Sequence, residues 1–301
     1  MLTKTTLVLG AGGPWGVAWM TGLILGLEEM GIEARHPHAI IGSSAGAVLG
    51  ARLGTGITPE ALFEQEASIE AQTRKLSVFR RLTPPRSEQS SPVSTSGPSS
   101  MLSVLAHEWD DEEQRIQAVC DLASNATTVS WAHFSSVMRP PSASAAAWPV
   151  VPLTVTAIDV DARSLQTFDT RSGVEMTLAV LASCAIPGVW PPAPINGRRY
   201  IDGGCWGSGD NVHLAAGAGS VLVISPLAAQ RAQRPGGTTV LDRDIHNLRA
   251  AGVRVHLVVA NPSSLATRGT GVPDPASMMA AAEAGRAQGR QEAGALQAAL
   301  A

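Results

Sequence analysis

Short apolar runs alternate along this chain with longer stretches of helical character. The runs Thr5–Leu9 and His38–Ile41 each end at a glycine cluster, and an apolar, helix-like stretch follows each cluster. This pattern is typical of buried strands that turn directly into helices. Predicted strands lie at 5–9, 38–41, 151–158, 164–168, 221–225 and 253–260, and predicted helices at 15–30, from 47 onward, and at 58–76, 103–125, 173–184, 241–251 and 275–301. The alternation predicts an α/β fold with a layered sheet.

Two segments rich in proline and small residues interrupt this pattern. We expect residues 83–100, which are mainly Pro and Ser, to form a mobile surface loop or a lid beside a pocket. Residues 139–149 are predicted to be a second loop. There are no internal repeats, and we interpret 1–301 as a single domain that ends in a strand and helices over 227–301.

Composition narrows the class of protein. With 45% hydrophobic and 16% charged residues, the chain is too apolar to be wholly disordered. A net charge of −3 provides no basic field for nucleic acid. The cysteines, Cys120, Cys184 and Cys205, are odd in number and lack metal-ligand spacing, so we predict neither a disulfide framework nor a metal site, and no cofactor. The N-terminus resembles no signal peptide and no 18-residue apolar run occurs, which predicts a cytoplasmic protein.

The second glycine cluster has the pattern Gly42-x-Ser44-x-Gly46 between a predicted strand and a predicted helix. A sharp turn there lifts a serine hydroxyl into position for nucleophilic attack, and the small residues on either side permit the turn. The first amide of the following helix can then face a developing oxyanion. The pattern is short enough to occur by chance, but its position between strand and helix favours a nucleophile elbow.

The first glycine cluster, Gly10–Gly16, also joins a strand to a helix. It does not match the G-x-G-x-x-G fingerprint of dinucleotide-binding proteins in either register, and no phosphate-loop lysine follows. Consecutive small residues in a turn expose backbone N–H groups, which can bind an anion. Beside a nucleophile elbow, such a turn would act as an oxyanion hole.

A third motif, Asp202-Gly203-Gly204, follows a predicted short strand. A partly desolvated aspartate at hydrogen-bonding distance from Ser44 could take the serine proton directly. A histidine-dependent triad is the competing arrangement. Of the seven histidines, His213 lies nearest to Asp202 in sequence, although each histidine is more readily explained as structural.

The order of the three motifs resembles that of the patatin-like phospholipase family. The segments Ala182–Pro192, Tyr200–Gly204 and Gly217–Ile224 are also similar to segments of that family, and the resemblance covers about 5–226. It implies a three-layer α/β/α fold with a central, largely parallel sheet. It further implies a Ser44–Asp202 catalytic dyad, an oxyanion hole of Gly12, Gly13 and Ala45, motif glycines at Gly42, Gly46, Gly203 and Gly204, and no metal.

The resemblance also implies the reaction: ester hydrolysis through an acyl-serine intermediate. The substrates would be acyl lipids such as phospholipids, lysophospholipids or acylglycerols, with transient contact at a membrane surface and no nucleic acid as partner. Trp15 replaces a cation of the family pattern, and Asn211-Val212 stands near the place of its Asn-Pro pair. The loss of the cation leaves two alternatives open, namely preference for a neutral ester and an inactive protein that binds lipid or a partner protein.

Overall fold

The computed structural model describes residues 4–34, 36–82, 111–138, 147–232, 239–269 and 273–300, together with 101, 103, 104, 107 and 109. The strands are β1 (Thr5–Leu9), β2 (Ala39–Gly42), β3 (Leu153–Asp159), β4 (Ser164–Phe168), β5 (Ala193–Ile195), β6 (Arg198–Asp202), β7 (Ser220–Ser225) and β8 (Arg254–Val259). The α-helices are α1 (Gly13–Glu29), α2 (Ala45–Gly54), α3 (Pro59–Glu66), α4 (Ile69–Arg81), α5 (Glu112–Asn125), α6 (Trp131–Met138), α7 (Met176–Ser183), α8 (Ala228–Arg231), α9 (Thr239–Ala250), α10 (Pro262–Ala266) and α11 (Pro275–Leu300).

The described strands form one mixed sheet of eight strands in the order β5-β6-β3-β2-β1-β7-β8, with β4 paired to β3. The central pairs β3–β2, β2–β1, β1–β7 and β7–β8 are parallel, and the pairs made by β4, β5 and β6 are antiparallel. Because β1 and β2 are parallel neighbours, the turns that follow them emerge at the same edge of the sheet.

Strand β3 brings two other strand ends together. Val155 pairs with Gly42 of β2 and with β4, while Ala157 pairs with Asp202 of β6 and with β4. Strand β4 occupies one side of β3 over this length, so β2 and β6 both lie on the other side. The C-terminal ends of β2 and β6 therefore meet head to head, on either side of the level of Thr156.

Helices cover both faces of the sheet, which confirms the predicted three-layer α/β/α architecture. On one face, Leu7, Leu9 and Ile40 pack in a core cluster with residues of α1, α2, α7 and α11. On the other face, Val8 and Ile41 pack against α9. Helix α5 covers the β3–β6 end of that face through a separate cluster.

Helices α1 and α11 pack with their backbones in close contact. A Cβ atom on Gly22 would overlap the carbonyl oxygen of Ala282, and one on Gly285 would overlap the carbonyl oxygen of Trp19. The indole Nε1 of Trp19 donates to Gln288 Oε1 at 3.3 Å across the interface. Glycine is required at these positions because the helices approach closely, whatever its helix propensity.

Several sequence predictions need correction. The helix predicted over 58–76 is two helices, α3 and α4, separated at Ala67 and Ser68, where Ser68 accepts a hydrogen bond from the amide of Ala71 and so begins a new helix. Residues 103 and 104 are helical, as predicted, but residues 107, 109 and 111 are not, and α5 begins at Glu112, where Asp111 caps it. Helix α6, strand β5 and the extent of β6 were not predicted. The expected loop or lid at 83–100 lies outside the described residues.

We predict that Gly22→Ala lowers the free energy of unfolding by about 1–3 kcal/mol, because its methyl group pushes α1 away from α11. The matched control is Gly294→Ala on the exposed side of α11, where no atom lies within 4 Å of the new Cβ. This control should gain about 0.5–1 kcal/mol from helix propensity. Urea unfolding of both variants tests the prediction, and equal effects of the two substitutions would contradict it.

Candidate active site

Ser44 occupies the sharp turn between β2 and α2. Its φ is 54°, a left-handed conformation that costs a non-glycine residue on the order of 1–3 kcal/mol. Close packing holds the turn, since a Cβ on Gly46 would overlap the carbonyl oxygen of Leu9 and one on Gly42 would lie 2.6 Å from the carbonyl oxygen of Gly46. The Ser44 amide donates to Ser183 Oγ at 2.8 Å. The geometry is that of a strand-turn-helix elbow.

Asp202, the last residue of β6, lies against this serine. The Ser44 hydroxyl donates to Asp202 Oδ2 at 2.7 Å, and the Gly204 amide donates to Asp202 Oδ1 at 2.7 Å. Asp202 is nearly inaccessible to solvent, with 4% of the residue exposed. Burial raises the pKa of Asp202 to about 7, although the hydrogen bonds from Ser44 and Gly204 and the charge of Arg231 act to lower it. The carboxyl can therefore exchange a proton near neutral pH.

The two glycines after Asp202 allow three segments to converge. A Cβ on Gly203 would overlap Thr156 Oγ1. A Cβ on Gly204 would lie 2.5 Å from Ala11 Cβ and 3.4 Å from Ser44 Cβ. The glycine turn after β1, the elbow after β2 and the turn after β6 thus share one small space.

The first turns of α1 and α2 face this space. Gly12 and Gly13 open α1, and Ala45 opens α2 directly after Ser44. Amides in the first turn of a helix have no acceptor inside their own helix. A Cβ on Gly16 would lie 3.6 Å from Ala45 Cβ, so the two helix starts are in contact. The arrangement can present N–H groups and two positive helix ends to an anion.

A buried polar network behind the elbow was not predicted from the sequence. Ser43 Oγ and Thr156 Oγ1 are 2.8 Å apart, and Asn211 Nδ2 donates to Ser43 Oγ at 2.8 Å and to the carbonyl oxygen of Gly203 at 3.0 Å. The amide of Asn211 therefore ties the residue before Ser44 to the residue after Asp202. The sequence drew attention to Asn211, because it stands near the place of the family's Asn-Pro pair. No sequence pattern distinguished Thr156 from other strand threonines.

Trp15 lies at the position where the family pattern has a cation. Its ring is buried, its Nε1 donates to Thr267 Oγ1 at 3.0 Å, and it stacks on Trp19. The guanidinium of Arg268 lies over the Trp15 ring, with 5.8 Å from Cζ to the ring centroid. A positive charge thus lies beside the Trp15 ring, supplied by Arg268.

Within the described part of the chain, no histidine lies at hydrogen-bonding distance from Ser44 or Asp202, and His213 instead faces Asp244, with 3.5 Å between Nδ1 and Oδ2. The described residues include no group of three or more His, Cys, Asp or Glu side chains that could hold a metal ion. They also include no helix long and apolar enough to span a membrane.

Solved structures with a similar course of the chain have low sequence identity to it. They include VipD from Legionella pneumophila (12% identity, TM-score 0.45), the type III effector protein ExoU (17%, 0.38) and ExoU in the ExoU–SpcU complex from Pseudomonas aeruginosa (19%, 0.44). They cover 97%, 97% and 99% of this chain, respectively. This chain spans 67% of VipD but only 53% and 52% of the two ExoU chains.

No curated protein sequence matches the chain. The family model for patatin-like phospholipase matches residues 7–216, more than two thirds of the 301 residues. The match begins in β1 and includes both glycine turns, the elbow and Asp202. The chain therefore belongs to the patatin-like phospholipase family.

Proposed function

We propose that this protein is a serine acyl hydrolase that cleaves carboxylic ester bonds of lipids through a Ser44–Asp202 dyad. The observation that carries the proposal is the 2.7 Å hydrogen bond from Ser44 Oγ to a buried carboxylate whose pKa is raised to about 7. A carboxylate of that basicity is matched to proton transfer at neutral pH. Family membership supports the same class of reaction.

In the proposed mechanism, Asp202 takes the Ser44 proton while Oγ attacks the ester carbonyl carbon. The carbonyl oxygen becomes an oxyanion, which accepts hydrogen bonds from the amides of Gly12, Gly13 and Ala45. As the tetrahedral intermediate collapses, Asp202 returns the proton to the departing alcohol and leaves an acyl-Ser44 ester. Asp202 then takes a proton from water, which attacks the acyl group and releases the fatty acid, and Ser44 recovers its proton.

The proposed substrates are phospholipids, lysophospholipids or acylglycerols, met in the cytoplasm at the surface of a membrane or lipid aggregate. Family membership supports an acyl lipid.

We predict that a fluorophosphonate probe labels Ser44 in the wild-type protein and fails to label the Ser44→Ala variant. Asp202→Asn should retain the fold and lower both labelling and ester hydrolysis by at least about 1,000-fold, because it removes the proton acceptor. Peptide mass spectrometry locates the label, and hydrolysis of a p-nitrophenyl ester gives the rate.

The matched control is His213→Ala, which removes the histidine closest in sequence to Asp202 and leaves the proposed dyad intact. It should keep the wild-type rate. Loss of activity in His213→Ala would replace the dyad with a histidine-dependent mechanism. A folded wild-type protein that is never labelled would instead support an inactive, lipid-binding protein.

We predict that kcat/KM for ester hydrolysis rises with pH and levels off above about 7, because Asp202 must be ionised to accept the serine proton. A rate profile with Ser44-dependent activity undiminished at pH 5 would contradict the assignment of Asp202 as base.

The same group predicts a pH dependence of stability. The pKa of Asp202 is about 7 in the folded protein against an ordinary value of 3.8, so the folded state holds this proton more tightly. As pH rises from about 4 to 7, the unfolded chain ionises first, and the free energy of unfolding falls by on the order of 4 kcal/mol. The Asp202→Asn variant has no carboxyl group at this position, so its free energy of unfolding does not undergo this fall. The difference in free energy of unfolding between the variant and wild type should therefore shift in favour of the variant as pH rises from about 4 to 7, and it should stay constant above pH 7. Urea unfolding at pH 5 and 8 measures the difference.

A further inference from the structure

The turn Gly209–Asn211 supports both parts of the proposed site. The carbonyl oxygen of Gly209 accepts a hydrogen bond from the amide of Ala11, at 3.2 Å, within the glycine turn that opens α1. At the other end of the turn, Asn211 bonds to Ser43 and Gly203, as described above. Displacement of this turn would therefore move the oxyanion amides and the dyad together.

Asp210, at the centre of the turn, is completely buried. Its Oδ1 accepts from Ser225 Oγ at 2.8 Å, and its Oδ2 lies 3.5 Å from Arg231 Nη1. A Cβ on Gly10 would overlap Asp210 Oδ1, so the carboxylate packs directly against the backbone before the oxyanion turn. A buried carboxylate without a cation would be strongly unfavourable, and Arg231 provides the cation.

Arg231 reaches the turn from α8, which follows β7. A Cβ on Gly209 would overlap the Arg231 guanidinium, so the guanidinium lies directly over the turn. Its side chain retains 21% exposure, in contrast to the fully buried Asp210. Arg231 therefore covers the turn on its solvent-facing side, and the Asp210 carboxylate packs against it on the buried side.

We propose that Arg231 and Asp210 are positioning residues of this site: together they fix the Gly209–Asn211 turn beneath the oxyanion amides and set the electrostatic environment of Asp202. This inference rests on the proposed function. Neither side chain touches the reacting atoms in the proposed mechanism, so both act through Ala11, Asn211 and the field at Asp202.

Among the residues that the structure describes, few charged groups face Asp202 from the elements around it. Arg231 lowers the pKa of Asp202, against the larger effect of burial. The thiols of Cys184 and Cys205 also lie near it, and burial raises the pKa of both, so they are neutral at pH 7. Arg115 donates to the carbonyl oxygen of Cys205 and is paired with Glu112. Arg231 is thus the charged group of this pair that alters the ionisation of Asp202. Burial raises the pKa of Asp210 itself, although the charge of Arg231 and the hydrogen bond from Ser225 act to lower it.

Arg231 is the member of the pair whose charge lowers the pKa of Asp202, which makes the inference testable. Arg231→Gln removes that charge and should move the acid limb of kcat/KM to higher pH by about 0.5–1 unit. Asp210→Asn keeps the charge of Arg231 and should not move the limb to higher pH, and the double variant should match Arg231→Gln. In all three, kcat should fall about 10–100-fold with KM changed little, because the oxyanion amides are less well held.

The experiment measures p-nitrophenyl butyrate hydrolysis by the full chain from pH 5 to 9, with urea unfolding of each variant. Arg231→Lys is the conservative variant: it keeps the charge and loses the broad guanidinium, so the acid limb should stay at the wild-type pH while kcat falls. This variant keeps the test informative if Asp210→Asn or Arg231→Gln fails to fold.

The matched control is Glu66→Gln. Glu66 is another buried carboxylate paired with cations, but its partners are Arg52 and Lys75, on α2 and α4. Glu66→Gln should lower the free energy of unfolding and leave both kcat and the acid limb of kcat/KM unchanged. If the Arg231 and Asp210 variants behave like Glu66→Gln, or if Asp210→Asn moves the limb to higher pH as Arg231→Gln does, the inference is overturned while Ser44-dependent hydrolysis still supports the proposed function. Wild-type protein without Ser44-dependent hydrolysis overturns both.

Discussion

The structure depends on the head-to-head meeting of β2 and β6 along one side of β3. The two strands run in opposite directions, so their C-terminal residues approach each other instead of emerging at opposite edges. Gly42 pairs at Val155 and Asp202 pairs at Ala157, which leaves only the level of Thr156 between them. This register brings a serine two residues beyond one strand to 2.7 Å from an aspartate at the end of the other. A shift of β6 by one residue would turn Asp202 to the opposite face of the sheet.

The conformation and the buried polar groups at this meeting point are energetically unfavourable. It holds a serine at positive φ, a buried carboxyl group and a second buried carboxylate at Asp210. The buried hydroxyls of Ser43 and Thr156 and the amide nitrogen of Asn211 find partners in one another, which limits the penalty of burying them, whereas the amide oxygen of Asn211 is buried without a partner among the described residues. The remaining cost is offset by the apolar core, in which one face of the sheet packs against α1, α2, α7 and α11. Local strain supported by a large core is typical of functional sites.

The sequence predicted the central parallel strands and the motif residues, since those carry local signals. Gly42 is required by a contact four residues away and Gly46 by a contact with Leu9 on β1, but the strand-turn-helix order around both is visible in the pattern itself. The extent of the antiparallel strand β6 was harder to predict from the sequence, because Arg198 and Arg199 are exposed and interrupt any apolar run. Thr156 looks like any strand threonine, and its contact with Ser43 spans 113 residues. The break between α3 and α4 was missed because the helix start at Ser68 depends on a single side-chain hydrogen bond.

The packing of α1 against α11 has a consequence for biosynthesis. Helix α1 is buried on all sides from Trp15 to Leu27, and much of its cover is a helix made more than 240 residues later. A growing chain can form the β1–β2 pair and the elbow early, since these contacts are local, whereas α1 stays partly uncovered until α11 has left the ribosome. Contacts so distant in sequence form slowly and leave apolar surface open to association in the meantime. Helix α1, which carries the glycine turn, is thus among the last parts of the molecule to be buried. An incomplete chain would therefore position Ser44 before the oxyanion turn beside it has its final structure.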